Sequence, residues 1–153
     1  MKLFLGSDHG GFLVKEAIKE HLLNKGYEVE DLGTDSSSSC DYPLFGIKVG
    51  EAVASNKDSL GIVVCSTGVG ISIAANKVKG IRCALCWKPK IAEMCRKHND
   101  ANVLSLPGLH LDKQEAIEIV DTWLSTDFEG DRHTRRVNII NDYDNKRGYK
   151  DVR

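Results

Sequence analysis

The chain has 153 residues with 21 basic and 22 acidic side chains, so its formal net charge is −1. This length predicts a single domain over residues 1–153, and the balanced charge argues against nucleic acid as a partner, because phosphate-backbone binding needs a basic surface. No apolar run reaches the roughly 20 residues of a membrane span, so we expect no membrane partner. The N-terminus carries no secretion signal, which predicts a cytoplasmic protein. The five cysteines are an odd count, and we expect them to be reduced thiols.

Short apolar runs alternate with amphipathic stretches along the whole sequence. Hydrophobic periodicity and Gly/Pro punctuation predict strands and helices in strict alternation. In chain order these are a strand at 3–5, a helix at 11–25, a strand at 27–32, a helix at 44–55, a strand at 60–64, a helix at 71–77, a strand at 81–86, a helix at 88–98, a strand at 102–106, a helix around 116–124 and a last helix at 133–147 that ends at Gly148. The alternation predicts a five-stranded parallel sheet with helices on both faces.

Three predicted strands end in loops that are rich in polar residues and glycine. These loops are 7–11, 65–70 and 105–108. Ligands of open parallel sheets bind at the carboxyl ends of the strands, so the loops are the first candidates for a functional site. The tail after Glu129 is charged and polar, and it would be a poor helix alone. We expect this last helix to pack on a partner chain.

The loop Cys65-Ser66-Thr67-Gly68-Val69-Gly70 joins a buried strand to a helix. Its glycines allow backbone N–H groups to approach an anion, and the start of the helix adds positive partial charge. A thiol at such a position ionises more easily, which makes Cys65 a candidate base or nucleophile. A buried cysteine beside a tight turn is the alternative, and position alone leaves both open.

The glycines of this loop do not match the known nucleotide-binding motifs. A dinucleotide fingerprint needs a third small residue, which Gly68-Val69-Gly70-Ile71-Ser72-Ile73 lacks. It also needs an acid after the next strand, where Cys86-Trp87-Lys88 stands instead. No Gly-Lys-Ser/Thr phosphate loop occurs in the sequence. We therefore expect neither a dinucleotide site nor a Walker-type nucleotide site at this loop.

Two histidines and an aspartate are further candidates. Asp8 and His9 follow the first strand and suit a sugar hydroxyl or a phosphate, although Asp8 could also simply cap a helix. His98 ends a helix, where the helix dipole favours the protonated imidazole and so an acid role. The alternative for His98 is a hydrogen-bonded histidine in the core or in an interface.

Other charged and thiol residues follow familiar patterns. Arg132 and Arg136 are four apart, so they share a helix face and could hold one phosphate, or they could form a solvated face. Cys83 and Cys86 are three apart in a strand and therefore point to opposite faces, which predicts structural thiols and no metal. Arg82 is interpreted as a surface charge beside a turn.

Eight ordered sequence blocks together resemble the ribose-5-phosphate isomerase B / galactose-6-phosphate isomerase family over nearly the whole chain. They are Gly6-Ser7-Asp8-His9-Gly10-Gly11, Asp31-Leu32-Gly33-Thr34, Asp41-Tyr42-Pro43, the stretch from Cys65 to Lys77, Gly80-Ile81-Arg82, His98-Asn99-Asp100-Ala101-Asn102-Val103, Val120-Asp121-Thr122-Trp123-Leu124, and Arg132-His133 with Arg136. The resemblance implies a Rossmann-like three-layer α/β/α sandwich. It also implies a homodimer or a dimer of dimers, with active sites shared between chains.

The activity implied by this resemblance is interconversion of ribose 5-phosphate and ribulose 5-phosphate without metal or cofactor. By position, Cys65 would move the proton between C2 and C1, while Thr67 and His98 would assist ring opening. Backbone N–H groups of Ser66, Gly68, Val69 and Gly70 would bind the enediolate. The side chains of Asp8 and Asn99 would hold sugar hydroxyls. The side chains of His9, Arg132 and Arg136 would bind the phosphate.

The chain departs from the family pattern at three positions. Ser66 replaces a glycine, so the loop would be strained or altered if that position needed a positive φ. Leu109 replaces a phosphate-binding arginine, with His110 beside it, and Asp131 stands where glycine is common. Two alternatives follow: an isomerase of allose 6-phosphate or galactose 6-phosphate, and a sugar-phosphate-binding protein without activity.

Overall fold

The computed structural model of the protein describes residues 1–146, and within them the predicted alternation of strands and helices is confirmed. The elements are β1 (Lys2–Ser7), α1 (Phe12–Asn24), β2 (Glu28–Asp31), α2 (Tyr42–Ser55), β3 (Ser59–Cys65), α3 (Val69–Ala75), β4 (Cys83–Leu85), α4 (Pro89–Asn99), β5 (Val103–Pro107), α5 (Lys113–Leu124) and α6 (Arg132–Lys146). The predicted end of the last helix at Gly148 lies outside the described residues. Helix α3 begins two residues earlier than predicted, because Gly68 takes a left-handed φ of 72° and serves as its N-cap.

All strand pairs of the five-stranded sheet in residues 1–146 are parallel, in the order β2-β1-β3-β5-β4. The connection after β1 leads to one edge strand, β2, and the connection after β3 leads to the other edge strand, β4, before the chain returns to β5. A crevice therefore opens between the carboxyl ends of these two neighbouring strands, which is where open α/β sheets bind ligands. The register pairs Ser7 with Val64 and Cys65 with Pro107, so the three candidate loops leave the sheet side by side.

Helices cover both faces of the sheet, which confirms the Rossmann-like three-layer sandwich. One core packs α1, α4 and α5 around the fully buried Trp123. The other packs α2 and α3 against the opposite face of β1, β3 and β5. Cys86 belongs to the first core and Cys83 packs against the second, as their spacing predicts. No helix in the described part of the chain combines the length and apolarity needed to cross a membrane.

Helix α6 packs against α4 and buries His133 and Val137. Its apolar side chains Ile139, Ile140 and Tyr143 lie exposed on the helix surface. A helix with this much uncovered apolar surface is compatible with the expected packing on a partner chain, which remains a prediction.

A buried lysine ties α1 to the end of β2. Lys15 is 1% exposed, and its ammonium donates to Asp31 Oδ2 and, at 2.7 Å, to Glu16 Oε1. Lys19 donates to the same two acceptors, and Asp31 Oδ1 accepts the Gly33 N–H at 3.0 Å. Burial raises the pKa of Asp31, but the hydrogen bonds from the two lysines outweigh it and the pKa is lowered. The ionised carboxylate thus belongs to the folded structure.

Replacing Asp31 should destabilise the fold strongly. Asp31→Asn leaves the buried Lys15 ammonium without its main countercharge, and such losses typically cost about 3–5 kcal/mol. Urea denaturation monitored by circular dichroism measures the change. Glu16→Gln is the matched control, because Glu16 is more exposed and should cost under about 1 kcal/mol. Equal losses in both variants would contradict this account.

Candidate active site

Three loops meet at the carboxyl ends of β1, β3 and β5. The loop after β5 is held to the loop after β3 by two backbone hydrogen bonds: Gly108 N–H donates to Cys65 O at 2.8 Å, and Leu109 N–H donates to Ser66 O at 3.1 Å. The loop after β1 lies so close that a Cβ at Gly10 would overlap with Ser66 Oγ. Asp8, His9 and the residues from Cys65 to Gly70 therefore form one continuous surface, as the sequence predicts.

The Cys65 side chain lies buried at the end of β3, next to the first turn of α3. Thr67 is exposed, and its Oγ1 accepts the Val69 N–H at 3.3 Å. Within residues 1–146 the non-glycine residues with positive φ are Asp58, Asp100 and Asp131. Ser66 is not among them, so serine replaces the usual glycine without backbone strain. Asp131, in contrast, holds the left-handed φ of 46° that its usual glycine adopts freely.

Asp8 and His9 are both fixed by backbone groups. The Asp8 side chain is buried, and its Oδ1 accepts the Gly11 N–H at 3.1 Å. Gly11 is itself the N-cap of α1, so Asp8 orders the turn before the helix and does not cap it. His9 Nδ1 lies 3.2 Å from both the N and the O of Cys40, and the tautomer decides which of the two it engages.

Tyr42 lines this site, and the sequence predicted no role for it. A Cβ at Gly70 would lie 2.6 Å from the Tyr42 ring, so the aromatic ring rests on the backbone at Gly70. The available signal was the block Asp41-Tyr42-Pro43, which carries the family resemblance. Pro43 starts α2 in its first turn, and this places the ring over the loop.

His98 and His133 form the centre of a second cluster. Their rings stack with centroids 4.3 Å apart and an angle of 15° between the planes. Glu129 Oε2 lies 3.9 Å from His98 Nε2 and 3.8 Å from His133 Nε2. His133 is buried, and among residues 1–146 its Nε2 has no hydrogen-bond partner. Burial lowers the pKa of His133, and nearby His98, Arg132 and Arg136 lower it further, so the neutral imidazole is favoured.

The two clusters lie at opposite ends of the sheet in one chain. A helix that connects two parallel strands runs antiparallel to them. Helix α4 therefore ends where the strands of the sheet begin, which we call the amino edge; the carboxyl edge is where the strands end. Asn99, its last residue, has its carbonyl bonded to Arg82, just before β4 begins. Cys65 pairs with Pro107 at the far end of β5, and crossing that strand from Val103 takes about 13 Å. Within one chain the structure therefore does not bring Cys65 together with His98.

The interpretation of Arg82 as a surface charge is wrong. Its guanidinium donates to the carbonyls of Asn99 and Asp100 at 2.8–3.1 Å and to Asn141 Oδ1 at 3.0 Å. These are unpaired carbonyls at the end of α4, and a charged donor satisfies them well. Arg82 thus fixes the corner after His98 to α6. Its place in the block Gly80-Ile81-Arg82 was the signal for a structural role.

The cluster of His98, Glu129 and His133 has the residue types of a metal site. The ligand atoms of His98, Glu129 and His133 lie within 4.8 Å of one another. However, ring lone pairs lie in the ring planes, and nearly parallel stacked rings do not aim them at a common point. Arg132 and Arg136 add positive charge next to His133. The stacked geometry and the nearby guanidinium groups therefore fit a metal ion poorly.

Fold and site together define an α/β enzyme with a cysteine among loop amides at the switch point of the sheet. A sequence profile described as Ribose/Galactose Isomerase matches residues 3–140. Ribose-5-phosphate isomerase B of Escherichia coli is 45% identical over 146 residues, covering 95% of this chain and 98% of that protein. The chain therefore belongs to the ribose/galactose isomerase family. The expected family and the expected isomerase class are confirmed.

Solved structures agree with the sequence relatives. Ribose-5-phosphate isomerase B of Clostridium thermocellum superposes with a TM-score of 0.93 at 51% identity, covering 96% of this chain and 99% of that one. The enzyme of Mycoplasma genitalium, solved with bound ribulose-5-phosphate, gives 0.92 at 44% identity, covering 95% and 97%. The range that the family profile matches, residues 3–140, includes all residues of the candidate site.

The stability of the protein should depend on pH through His133. Because its pKa is lowered in the folded chain, the unfolded chain binds the proton more tightly. The contribution of neutral His133 to the unfolding free energy is therefore complete above about pH 6.5 and is lost as the pH falls through the lower folded pKa. Urea denaturation at pH values about one unit apart, from about pH 7.5 down to about pH 5, measures this change in the unfolding free energy.

His133→Gln should flatten this dependence. The exposed His110 is the matched control, and His110→Gln should leave the slope as in the wild type. The pKa of Glu93 is lowered to about 2 by hydrogen bonds from Lys97 and Lys90, so the stability that this carboxylate contributes is lost mainly below about pH 4.5, outside this window. An unchanged slope in His133→Gln would rule out this histidine as the cause.

Proposed function

We propose that the protein interconverts ribose 5-phosphate and ribulose 5-phosphate through an enediolate, within one isomerase domain. The observation that carries the proposal is the position of Cys65, which borders a loop of backbone amides at the β1/β3 crevice. The relatives named for this activity support it, as does the Mycoplasma genitalium structure with ribulose-5-phosphate.

The proposed reaction is a proton transfer between neighbouring carbons. Cys65 as a thiolate removes the proton from C2 of the open-chain aldose, and the electron pair moves to O1 to give the enediolate. Returning that proton to C1, with the O2 hydroxyl proton passing to O1, yields the ketose with nothing gained or lost. Loop amides at Ser66, Gly68, Val69 and Gly70 would stabilise the developing oxyanion, which is typically the largest catalytic contribution.

Binding and ring opening need the remaining residues. We assign sugar hydroxyls to Asp8 and Asn99, and ring opening to Thr67 and His98. Phosphate would be held by His9 and by the guanidinium groups of Arg132 and Arg136. The positive surroundings of His133 suit a dianionic phosphate.

The separation of the two clusters leads to a shared site. If Cys65 and His98 act on one substrate, the roughly 13 Å of strand between them must be bridged by a second chain. We therefore propose a homodimer, or a dimer of such dimers, in which the Cys65 loop of one protomer faces the α4–α6 cluster of its partner. The exposed apolar residues of α6 lie beside that cluster and would lie in the interface.

The first test is metal-free turnover of ribose 5-phosphate, allose 6-phosphate and galactose 6-phosphate by the wild type and by Cys65→Ala. We expect Cys65-dependent turnover of the pentose, with kcat reduced by at least about 100-fold in the variant, because proton transfer loses its base. A preference for a hexose would favour the alternative isomerase. Binding without turnover of any of them would mean a non-catalytic sugar-phosphate-binding protein.

The second test asks whether sites are shared. Cys65→Ala and His98→Ala homodimers should both be nearly inactive. Co-expressed with different tags and purified together, they form mixed dimers in which one site carries both changes and the other carries none. Random pairing then restores about a quarter of wild-type activity, since half of the dimers are mixed and each has one intact site. Mixtures no more active than the separate variants would show that each chain holds a whole site.

A further inference from the structure

We propose that Ser105 is a positioning residue that orients the Gly68–Val69 peptide, so that the Val69 N–H faces the reacting sugar. The inference rests on the proposed function for its kinetic consequence, and on the geometry of β5 and the Cys65 loop for its structural content. Ser105 lies in the interior of β5 and is fully buried. The reaction proposed above assigns it no role.

The Ser105 hydroxyl has one hydrogen-bond acceptor in the structure. Its Oγ donates to the carbonyl oxygen of Gly68 at 2.7 Å, across 37 positions of sequence. The same carbonyl accepts the Ser72 N–H at 3.2 Å, within the first turn of α3. The shorter of the two bonds therefore ties the loop peptide directly to the sheet.

Peptide planarity turns this bond into a constraint on the next amide. In a trans peptide the C=O and the following N–H point in opposite directions, and residues 1–146 contain no cis peptide bond. With the Gly68 carbonyl drawn toward buried Ser105, the Val69 N–H points away from the sheet. There it meets the exposed Thr67, whose Oγ1 accepts it at 3.3 Å.

Because residue 68 is a glycine, hydrogen bonds from other residues are needed to fix the orientation of its carbonyl. Gly68 has a φ of 72°, and glycine populates both signs of φ about equally. The Gly68–Val69 peptide turns about ψ of Gly68 and φ of Val69, and glycine, which has no Cβ, restricts ψ less than other residues do. A Cβ at Gly68 would lie 2.9 Å from the Leu106 carbonyl carbon, so the residue packs closely on β5. The hydrogen bonds from the Ser105 hydroxyl at 2.7 Å and from the Ser72 N–H at 3.2 Å together fix which way the Gly68 carbonyl turns.

The consequence is a selective effect on the transition state. An amide aimed at the enediolate oxygen binds charge that develops only during reaction, so its misorientation should lower kcat while KM stays nearly constant. We expect Ser105→Ala to lower kcat for ribose 5-phosphate by about 10-fold or more, with KM changed by less than about 2-fold. Affinity for ribitol 5-phosphate, which has no carbonyl and forms no enediolate, should be unchanged.

Ser59→Ala is the matched control for a buried serine. Ser59 lies at the opposite end of β3, is nearly as buried, and donates to the Asn56 carbonyl at 2.6 Å. The same substitution there removes the same kind of bond far from the Cys65 loop. Its kcat should stay within about 2-fold of the wild type. A loss of kcat in Ser59→Ala equal to that in Ser105→Ala, or no loss in Ser105→Ala, would overturn the assignment.

A spectroscopic measurement separates this proposal from the proposed function. In ¹⁵N–¹H spectra, Ser105→Ala should shift the Val69 amide signal and speed its hydrogen exchange, while Ser59→Ala should leave it in place. If the wild type turns over no sugar phosphate, the proposed function fails and this amide signal alone decides the role of Ser105. An unmoved Val69 signal in Ser105→Ala would refute the positioning role whatever the activity.

Discussion

Parallel strands and the helices between them run in opposite directions, and this constraint separates the molecule into two chemically different ends. The carboxyl edge of the sheet carries Cys65 and the loop amides. The amino edge carries the end of α4, where His98 stacks on His133 from α6. A single chain of this topology cannot fold the two ends together, because the sheet itself lies between them. The shared site we propose follows from this separation.

Each end is held together by hydrogen bonds to backbone carbonyls. At the carboxyl edge, amides of the loop after β5 bond to the carbonyls of Cys65 and Ser66. At the amino edge, the Arg82 guanidinium gathers the terminal carbonyls of α4. Asp8, His9 and Thr67 also contact backbone groups through their own side chains. Such an arrangement preorganises a site, since the scaffold sets the orientation of its groups before a ligand binds.

The sequence was sufficient for the architecture because buried parallel strands appear as continuous apolar runs between helical periods. It was also sufficient for the loop containing Cys65, whose glycines mark a close approach of backbone. It could not show that His98 stacks on His133, because residues this far apart in the chain leave no local pattern. Arg82 was misread for a similar reason: its burial comes from acceptors 17 to 59 residues away, which leave no local pattern.

The departures from the family pattern differ in what the backbone demands of them. Ser66 sits at a φ open to any residue, and its hydroxyl has room because Gly10 opposite it has no side chain. Asp131 occupies a left-handed position that favours glycine, so the cost falls on the loop entering α6. Leu109 is exposed and joined to Ser66 only through its backbone. The scaffold of the loop after β3 is therefore intact, and what differs is the set of side chains around the substrate. Substrate affinity and preference are more sensitive to such changes than the proton transfer itself.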